Sequence, residues 1–207
     1  MISQYEHWNE GYKKYPLQEP KYDSWLDKYN EILQKSKNTP IIDLGCGLGN
    51  DSLYLSERGY HVISCDFSEE AIKRVKMYVP NAETMIFNMN NGLPFADCNA
   101  EIVIANLSLH YFSINDTNKI IGEISRVLKI DGVLLCRLNS TKDENAGAGM
   151  GSIIEKNYYQ IGDKKKRFFD KETIEKVFSQ WKIINMEEYT IKKYKLPKIL
   201  WEVCLQK

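Results

Sequence analysis

The amino-acid sequence predicts an α/β fold in which helices cover both faces of a mostly parallel sheet. Short apolar runs, typical of strands, alternate with longer segments whose apolar residues recur at helical spacing. The apolar runs are continuous, as in strands buried on both sides, and the first one ends in a glycine-rich turn. Ligands of such sheets bind beyond the carboxyl ends of the strands, so we expect functional residues directly after strands.

The first two thirds of the chain predict a helical cap followed by the core of the sheet. Residues 1–38 form the predicted cap, with an amphipathic helix from Tyr22 to Leu33 that Pro16 and Pro20 separate from a shorter segment. Residues 39–138 form the predicted core, in which Ser68 caps the second helix. The core strands are predicted at 41–45, 60–65, 84–87, 101–106 and 133–138, and its helices at 51–58, 68–78 and 116–129.

The last third of the chain predicts an irregular insert and a closing unit. Residues 139–169 lose periodicity and gain glycine, asparagine and lysine, which predicts a flexible insert. Residues 170–207 follow with a helix at 170–180 and two strands at 181–191 and 199–205. The length of 207 residues favours one domain over the whole chain.

Charge and cysteine usage limit the classes of partner. Lys and Arg number 28, as do Asp and Glu, so the formal net charge of 0 gives no overall field for nucleic acid or an anionic membrane. Five cysteines lack C-x-x-C spacing, which indicates free thiols and no metal site. The N-terminus is polar, and no apolar run approaches the ~18 residues of a membrane span. We therefore expect a soluble cytoplasmic protein, as a monomer or homodimer.

The sharpest motif is IIDLGCGLGN at residues 41–50. Its glycines allow a tight turn that approaches a ligand closely, although dinucleotide-binding folds also use such a turn. Asp43 precedes the turn, where a pyrophosphate would be repelled and a cation favoured. Asp66 ends the next strand, where a carboxylate can accept hydrogen bonds from ribose hydroxyls. The pattern favours an adenosine-type ligand with a cation instead of a phosphate, and S-adenosylmethionine (SAM) meets that description.

Four segments in this order, IIDLGCGLGNDSLYL, CDFS, NGLPF and EIVIANLSLHYF, resemble the class I SAM-dependent methyltransferases over roughly residues 39–140. The resemblance implies a Rossmann-like seven-stranded sheet with the last strand antiparallel, SAM as the cofactor and S-adenosylhomocysteine as the product. It implies that Asp43 and the glycine turn hold the methionine moiety, Asp66 the ribose and Phe67 the adenine. The predicted cofactor-binding residues are Asp43, Gly45, Cys46, Gly47, Gly49, Asn50, Asp66, Phe67, Ser68, Asn88, Met89, Asn106 and Leu107.

One position departs from the family pattern. The family often has an acidic residue before the LPF segment, where this chain has Asn88. An amide carbonyl can accept the same bond from an adenine amino group without a charge. Asn88 is equally well explained as a loop residue.

The part of the site that would bind the methyl acceptor, here called the acceptor side, is predicted mainly from residues that follow the fourth and fifth strands. His110 is a candidate general base, and a packing histidine is an equally good interpretation. Trp8 and Tyr12 either belong to the core or close over the site. The predicted substrate residues are Trp8, Tyr12, Tyr111, Arg137 and Arg167. The charge run at 163–167 is either a solvated turn or an attraction for an anionic substrate.

The function predicted from the sequence is methyl transfer from SAM to a small-molecule acceptor. A finer resemblance points to methyltransferases of the tellurite-resistance and thiol groups. After the fourth strand the chain has ANLS instead of an N/D-P-P-Y/F/W tetrapeptide, so we expect no nucleic-acid substrate. Two alternatives stay open, namely a non-catalytic SAM-binding regulatory module and a nucleotide-dependent oxidoreductase.

Overall fold

The computed structural model of the protein describes residues 3–192 and 196–207. Residues 1–2 of the predicted cap and residues 193–195 between the predicted closing strands lie outside the described residues. The helices are α1 Gln4–Lys14, α2 Asn30–Leu33, α3 Asn50–Glu57, α4 Glu69–Tyr78, α5 Ile114–Val127 and α6 Lys171–Val177. The strands are β1 Ile41–Leu44, β2 Val62–Asp66, β3 Glu83–Ile86, β4 Ala100–Asn106, β5 Leu128–Asn139, β6 Ser152–Glu155, β7 Tyr158–Ile161, β8 Lys164–Arg167, β9 Lys182–Ile191 and β10 Lys198–Gln206.

The central sheet has seven strands in the order β3-β2-β1-β4-β5-β10-β9. The pairs among β1 to β5 are parallel, and β10 is antiparallel to both β5 and β9. Strands β1 and β2 are buried along their whole length, which explains their continuous apolar sequence. The predicted fold class, including the antiparallel last strand, is confirmed.

Apolar layers cover both faces of this sheet. On one face, α5 contributes Ile120, Ile121 and Ile124, which are all buried against the sheet. On the other face, Leu26 and Tyr54 pack with the buried side chains of the central strands. The apolar stripe of α5 appears in the sequence at the spacing that predicted the helix.

The N-terminal region differs in detail from the predicted cap. The predicted helix from Tyr22 to Leu33 is reduced to α2, with 3-10 turns at Asp27–Tyr29 and Gln34–Ser36 on either side. The longer helix is α1, which begins with a capping box between Ser3 and Glu6. The apolar spacing at 22–33 therefore predicted the buried face correctly and the helix length wrongly.

Residues 139–169 do not form the predicted irregular insert. They contain a second sheet in the order β6-β7-β8, with antiparallel pairing. Two-residue turns join the strands at residues 156–157 and 162–163, where Asn157 and Gly162 have positive φ angles of 60° and 57°. Asn and Gly are the residues that adopt this conformation most readily, so the turns have a local cause. A bridge between Ser140 and Phe169 brings the two ends of the segment together.

Helix α1 is held against α4 by side-chain hydrogen bonds at two places. The Asn9 Oδ1 atom accepts hydrogen bonds from Ser68 Oγ at 2.9 Å and from Glu70 N at 3.1 Å. The buried Arg74 guanidinium donates to the backbone carbonyls of residues 12, 15 and 16, beyond or near the end of α1. These bonds satisfy carbonyls at the helix terminus and fix α1 over the carboxyl ends of the strands.

Candidate functional site

A cavity of about 1040 Å³ lies at the carboxyl ends of β1, β2, β4 and β5, with α1 as one wall. This is the edge of the sheet at which the sequence predicted the functional residues. The predicted residues that line it are Trp8, Tyr12, Asp43, Gly45, Cys46, Gly47, Asn50, Asp66, Phe67, Asn88, Met89, Asn106, Leu107, His110, Tyr111 and Arg137. The structure does not bring Gly49, Ser68 and Arg167 to the cavity.

The turn between β1 and α3 is tightly enclosed. Gly45 and Gly47 have φ angles of 73° and 54°. A Cβ atom on Gly45 would lie closer than 3.0 Å to Ser108 Cβ, and one on Gly47 would lie 2.9 Å from the Tyr12 hydroxyl. Glycine is therefore needed at both positions for its conformation and for its small size. Gly49 instead packs against Val75 of α4.

Two carboxylates are buried beneath the glycine turn. Asp43 accepts a hydrogen bond from Ser52 Oγ at 2.6 Å, and Asp51 accepts bonds from the side chains of Trp25 and Asn106 at 2.9 and 2.8 Å. Burial raises the pKa of both carboxyl groups, and repulsion from Asp51 further raises the pKa of Asp43. A bound cation at this wall would offset the cost of burying these two acids.

Asp66 is placed by the glycine turn and by the start of α4. Its carboxylate accepts hydrogen bonds from Gly47 N at 3.0 Å and from Ser68 N at 2.9 Å. Burial raises the pKa of Asp66, while these backbone bonds oppose the shift. Ser68 itself caps α4, since its Oγ accepts from Ala71 N at 3.2 Å, which explains why it does not line the cavity. Phe67 lies edge-on to Tyr5 at a ring distance of 5.9 Å.

The wall that follows β3 is formed by Asn88 and Met89. Asn88 is exposed, and its Oδ1 accepts a hydrogen bond from Asn90 N at 3.0 Å. The side chain thus stabilises a local turn and keeps a second lone pair available. Both interpretations of Asn88 from the sequence are compatible with this geometry.

Comparison with known proteins identifies the central part of the chain. The family described as "Methyltransferase domain" matches residues 42–136. The "Uncharacterized methyltransferase sll0829" of Synechocystis sp. is 33% identical over 103 residues, which cover 50% of this chain and 48% of that relative. The "tRNA N(3)-cytidine methyltransferase METTL2" of Danio rerio is 26% identical over 164 residues, which cover 73% of this chain and 46% of that relative. The chain spans about half the length of the curated relatives it matches.

A solved structure shares the fold. The crystal structure of a SAM-dependent methyltransferase from Methanosarcina mazei superposes with a TM-score of 0.72 at 18% identity, covering 85% of this chain and 96% of that one. Residues 42–136 thus match a methyltransferase domain, and the chain has the fold of a SAM-dependent methyltransferase. The family resemblance and the SAM cofactor predicted from the sequence are thereby confirmed.

The cavity of the methyltransferase domain fits SAM. The cofactor carries a sulfonium and an amino group, and the wall below the glycine turn holds two buried carboxylates. Two buried polar atoms on this wall, Asn106 Oδ1 and Ser108 Oγ, have no partner in the protein. Such atoms cost free energy unless a bound molecule or water satisfies them. The narrow space around Gly45 and Gly47 would leave backbone atoms accessible to that molecule.

His110 lies at the far end of the cavity, in a 3-10 turn after β4. Its ring is 3% exposed and lies 4.1 Å from the Tyr111 ring, and its Nδ1 atom has no hydrogen-bond partner. Burial lowers the pKa of His110 well below its usual value, and the positive charges of Lys198 and Lys166 lower it further. The imidazole is therefore neutral near pH 7 and retains the capacity to accept a proton.

Arg137 also lines the cavity, although its charge is already paired. Its guanidinium contacts Asp23 at 3.0 Å and Glu202 at 3.4 Å, and it lies 4.6 Å over the Trp25 ring. With 4% of its surface exposed, the side chain is held in one place by these partners. Arg137 thus forms part of the wall, and its positive charge is neutralised there.

The prediction that Arg167 faces the acceptor side is wrong. Arg167 is 2% exposed, pairs with Glu155 and donates to the backbone carbonyls of Phe112 and Lys156. Successive residues of a strand point to opposite sides, so Lys166 faces the cavity in its place. The charge run at 163–167 is therefore one turn residue followed by β8. One face of this strand carries Lys166 towards the cavity, and the other carries the buried Arg167.

Several cavity residues escaped the sequence analysis. At the end of the cavity beside the glycine turn, which we call the donor end, they are Asp51 and Ser108. At the end beside His110, which we call the acceptor end, they are Asn139, Asp143, Lys166 and Lys198. Asp51 sits in the first turn of α3, where an acid is expected for helix stability alone. Side chains alternate between the two faces of β8. This alternation is the one local signal that could have predicted that Lys166 and Arg167 face opposite sides.

The part of the chain formed by residues 3–192 and 196–207 has no group of three or more His, Cys, Asp or Glu side chains able to hold a metal ion. Its helices are all too short or too polar to cross a bilayer.

Proposed function

We propose that this chain transfers the methyl group of SAM to a small-molecule acceptor. The observation that carries the proposal is one continuous cavity that runs from the glycine turn to His110. Its volume of about 1040 Å³ lies at the upper end of the ~300–1,000 Å³ of ligand pockets and gives room for a donor beside a small acceptor. A donor and a small acceptor would therefore share one space.

The donor end is proposed to hold SAM through a small set of groups. Asp66 would accept hydrogen bonds from the ribose hydroxyls, and Phe67 would contact the adenine. Asp43 and Asp51 would face the positively charged methionine moiety, with Asn106 Oδ1 accepting a bond from its amino group. Gly45, Cys46 and Gly47 would let this moiety reach the backbone.

Bound SAM supplies an electrophilic methyl group on a positively charged sulfur. The chain has to align an acceptor with that group and exclude water, and α1 with Trp8 and Tyr12 forms the wall that does so. The neutral His110 ring would accept a proton at Nδ1 from an acceptor that arrives protonated. An acceptor that is already an anion would need no base.

Calorimetry with Asp66→Asn tests the donor site. The variant keeps the shape of the side chain and removes its charge, so we expect affinity for S-adenosylhomocysteine to fall about ten- to hundredfold, or ~1.5–3 kcal/mol. Asp97→Asn, an exposed carboxylate paired with Arg126 outside the cavity, is the matched control and should bind as the wild type does. Equal affinity in the wild type and Asp66→Asn would reject the assignment.

Two other functions are separated by an acceptor assay. The first is a SAM-binding module without catalysis, for which S-adenosylhomocysteine would not form with any thiol, amine or phenol of a panel. The second is RNA methylation, which the similarity to a tRNA methyltransferase brings into view. The chain's net charge of 0 favours a small acceptor, because it provides no overall attraction for an RNA backbone. Methyl transfer to bulk tRNA with no transfer to the panel would overturn this choice.

A further inference from the structure

We propose that the acceptor end of the cavity binds an acidic group of the substrate, a carboxylate or a phosphate, through Lys166, Lys198 and the Asn139 amide. The inference rests on the proposed methyl transfer, because it names the chemical class of the acceptor. The charge run at 163–167 gave an anionic substrate as one interpretation, but the site itself arises only when β5, β8 and β10 come together in the fold.

The first argument is the balance of charge. Lys198 Nζ donates to Asn139 Oδ1 at 2.6 Å and to Asp143 Oδ2 at 3.1 Å. Lys166 Nζ donates to the backbone carbonyl of Ala146 at 3.0 Å, which carries no charge. Two ammonium groups therefore face one carboxylate, and one positive charge is left over. Burial, with repulsion from Lys198 and Lys164, lowers the pKa of Lys166 to about 8.

The second argument is that buried polar atoms here lack partners. Asn139 Nδ2, Asp143 Oδ1 and His110 Nδ1 are all buried without a hydrogen bond, in side chains that line the cavity. Asn139 is 0% exposed, and its unpartnered amide is a donor beside the two lysines. Leaving the Asn139 amide unsatisfied is unfavourable, so this donor favours a ligand group that accepts a hydrogen bond. Asp143 Oδ1 and His110 Nδ1 are acceptors, which water or a donor elsewhere on the substrate would satisfy.

The third argument is the division of charge along the cavity. The donor end holds Asp43, Asp51 and Asp66, and the acceptor end holds Lys166 and Lys198 with the single carboxylate of Asp143. Arg137, between the two ends, is already neutralised by Asp23 and Glu202. The arrangement is complementary to a cationic donor at one end and an anionic acceptor at the other. An ammonium acceptor would be repelled.

Titration calorimetry with simple acids tests the site on protein saturated with S-adenosylhomocysteine. The probes are benzoate and phenyl phosphate, with benzyl alcohol and benzylamine as the neutral and cationic controls. We expect at least one acid to bind tenfold or more tightly than both controls, and the tighter acid identifies the carboxylate or the phosphate as the preferred group. Acids that bind no more tightly than benzyl alcohol would overturn the proposal.

Variants locate the binding. Lys166→Met should remove the tenfold advantage of the acid, whereas Lys165→Met, the exposed neighbour on the other face of β8, should leave it intact. Lys166→Gln, which can still donate to Ala146, serves if Lys166→Met melts at a lower temperature. Equal losses in the Lys165 and Lys166 variants would refute the assignment.

Titrations with S-adenosylhomocysteine and with the acids distinguish failure of the acidic-group site from failure of the proposed methyl transfer. Binding of S-adenosylhomocysteine without selective binding of acids would reject the acidic-group site and leave the methyltransferase proposal intact. If S-adenosylhomocysteine does not bind, the acids are titrated into the free protein, and their selective binding there would reject the proposed methyl transfer and keep the acidic-group site.

Discussion

Replacement of Gly45 by alanine tests whether the close approach of two strand ends shapes the donor site. Residue 45 has a left-handed backbone conformation, which costs an L-residue ~1–2 kcal/mol. The new Cβ would also overlap Ser108 Cβ, and overpacking of this kind costs ~1–3 kcal/mol. The free energy of unfolding should therefore fall by ~2–5 kcal/mol, which is ~4–20 °C in Tm for a chain of this size.

A matched variant separates the two costs. Gly59 has a similar φ of 78°, and nothing lies within 4 Å of the position of its Cβ, so Gly59→Ala should show the backbone cost alone. Urea denaturation of both variants gives the difference, and Ser108→Gly in the Gly45→Ala background should recover the steric part. S-adenosylhomocysteine should bind at least tenfold more weakly to Gly45→Ala and normally to Gly59→Ala. Equal destabilisation and equal binding in the two variants would refute the reasoning.

Two further predictions concern buried side chains. His110 is neutral in the folded protein, whereas the unfolded chain binds a proton below a pKa of ~6.5, so folding stability should fall as the pH drops from 6.5 towards 5. His110→Gln should reduce that slope by at most ~1.4 kcal/mol per pH unit in urea titrations, and an unchanged slope would contradict the assignment. Arg167→Ala should lower the free energy of unfolding by ~2–3 kcal/mol, because it removes the cation paired with Glu155 and the donor to two backbone carbonyls. Binding of acid probes should persist in Arg167→Ala, and its loss with wild-type stability would return this residue to the acceptor site.

The core of the fold and the donor site were predictable because their signals are local. Strand β1, the glycine turn and Asp66 occupy one short stretch, in which apolar runs, glycines and strand-end acids all have a direct physical meaning. The second sheet was missed because its strands have only 4 residues each and do not alternate in polarity. Its turns, with Asn157 and Gly162, were the available signal.

The acceptor end was not predictable for a different reason. Asn139 and Lys198 are 59 positions apart and meet only because β10 enters the sheet beside β5. Lys166 and Arg167 are adjacent basic residues, and they differ in the face of β8 on which each side chain lies. Which of these two residues faces the cavity depends on tertiary packing. The sequence prediction chose Arg167, which is buried in the structure and pairs with Glu155.

The attachment of α1 has a kinetic consequence. This helix forms a wall of the cavity, yet side-chain hydrogen bonds from Asn9 and Arg74 hold it to α4, with no backbone ladder between them. Local undocking of a helix held in this way requires much less free energy than global unfolding. Undocking of α1 would open one wall of the cavity while the central sheet stays folded. We therefore expect substitutions of Asn9 or Arg74, which do not line the cavity, to speed ligand exchange.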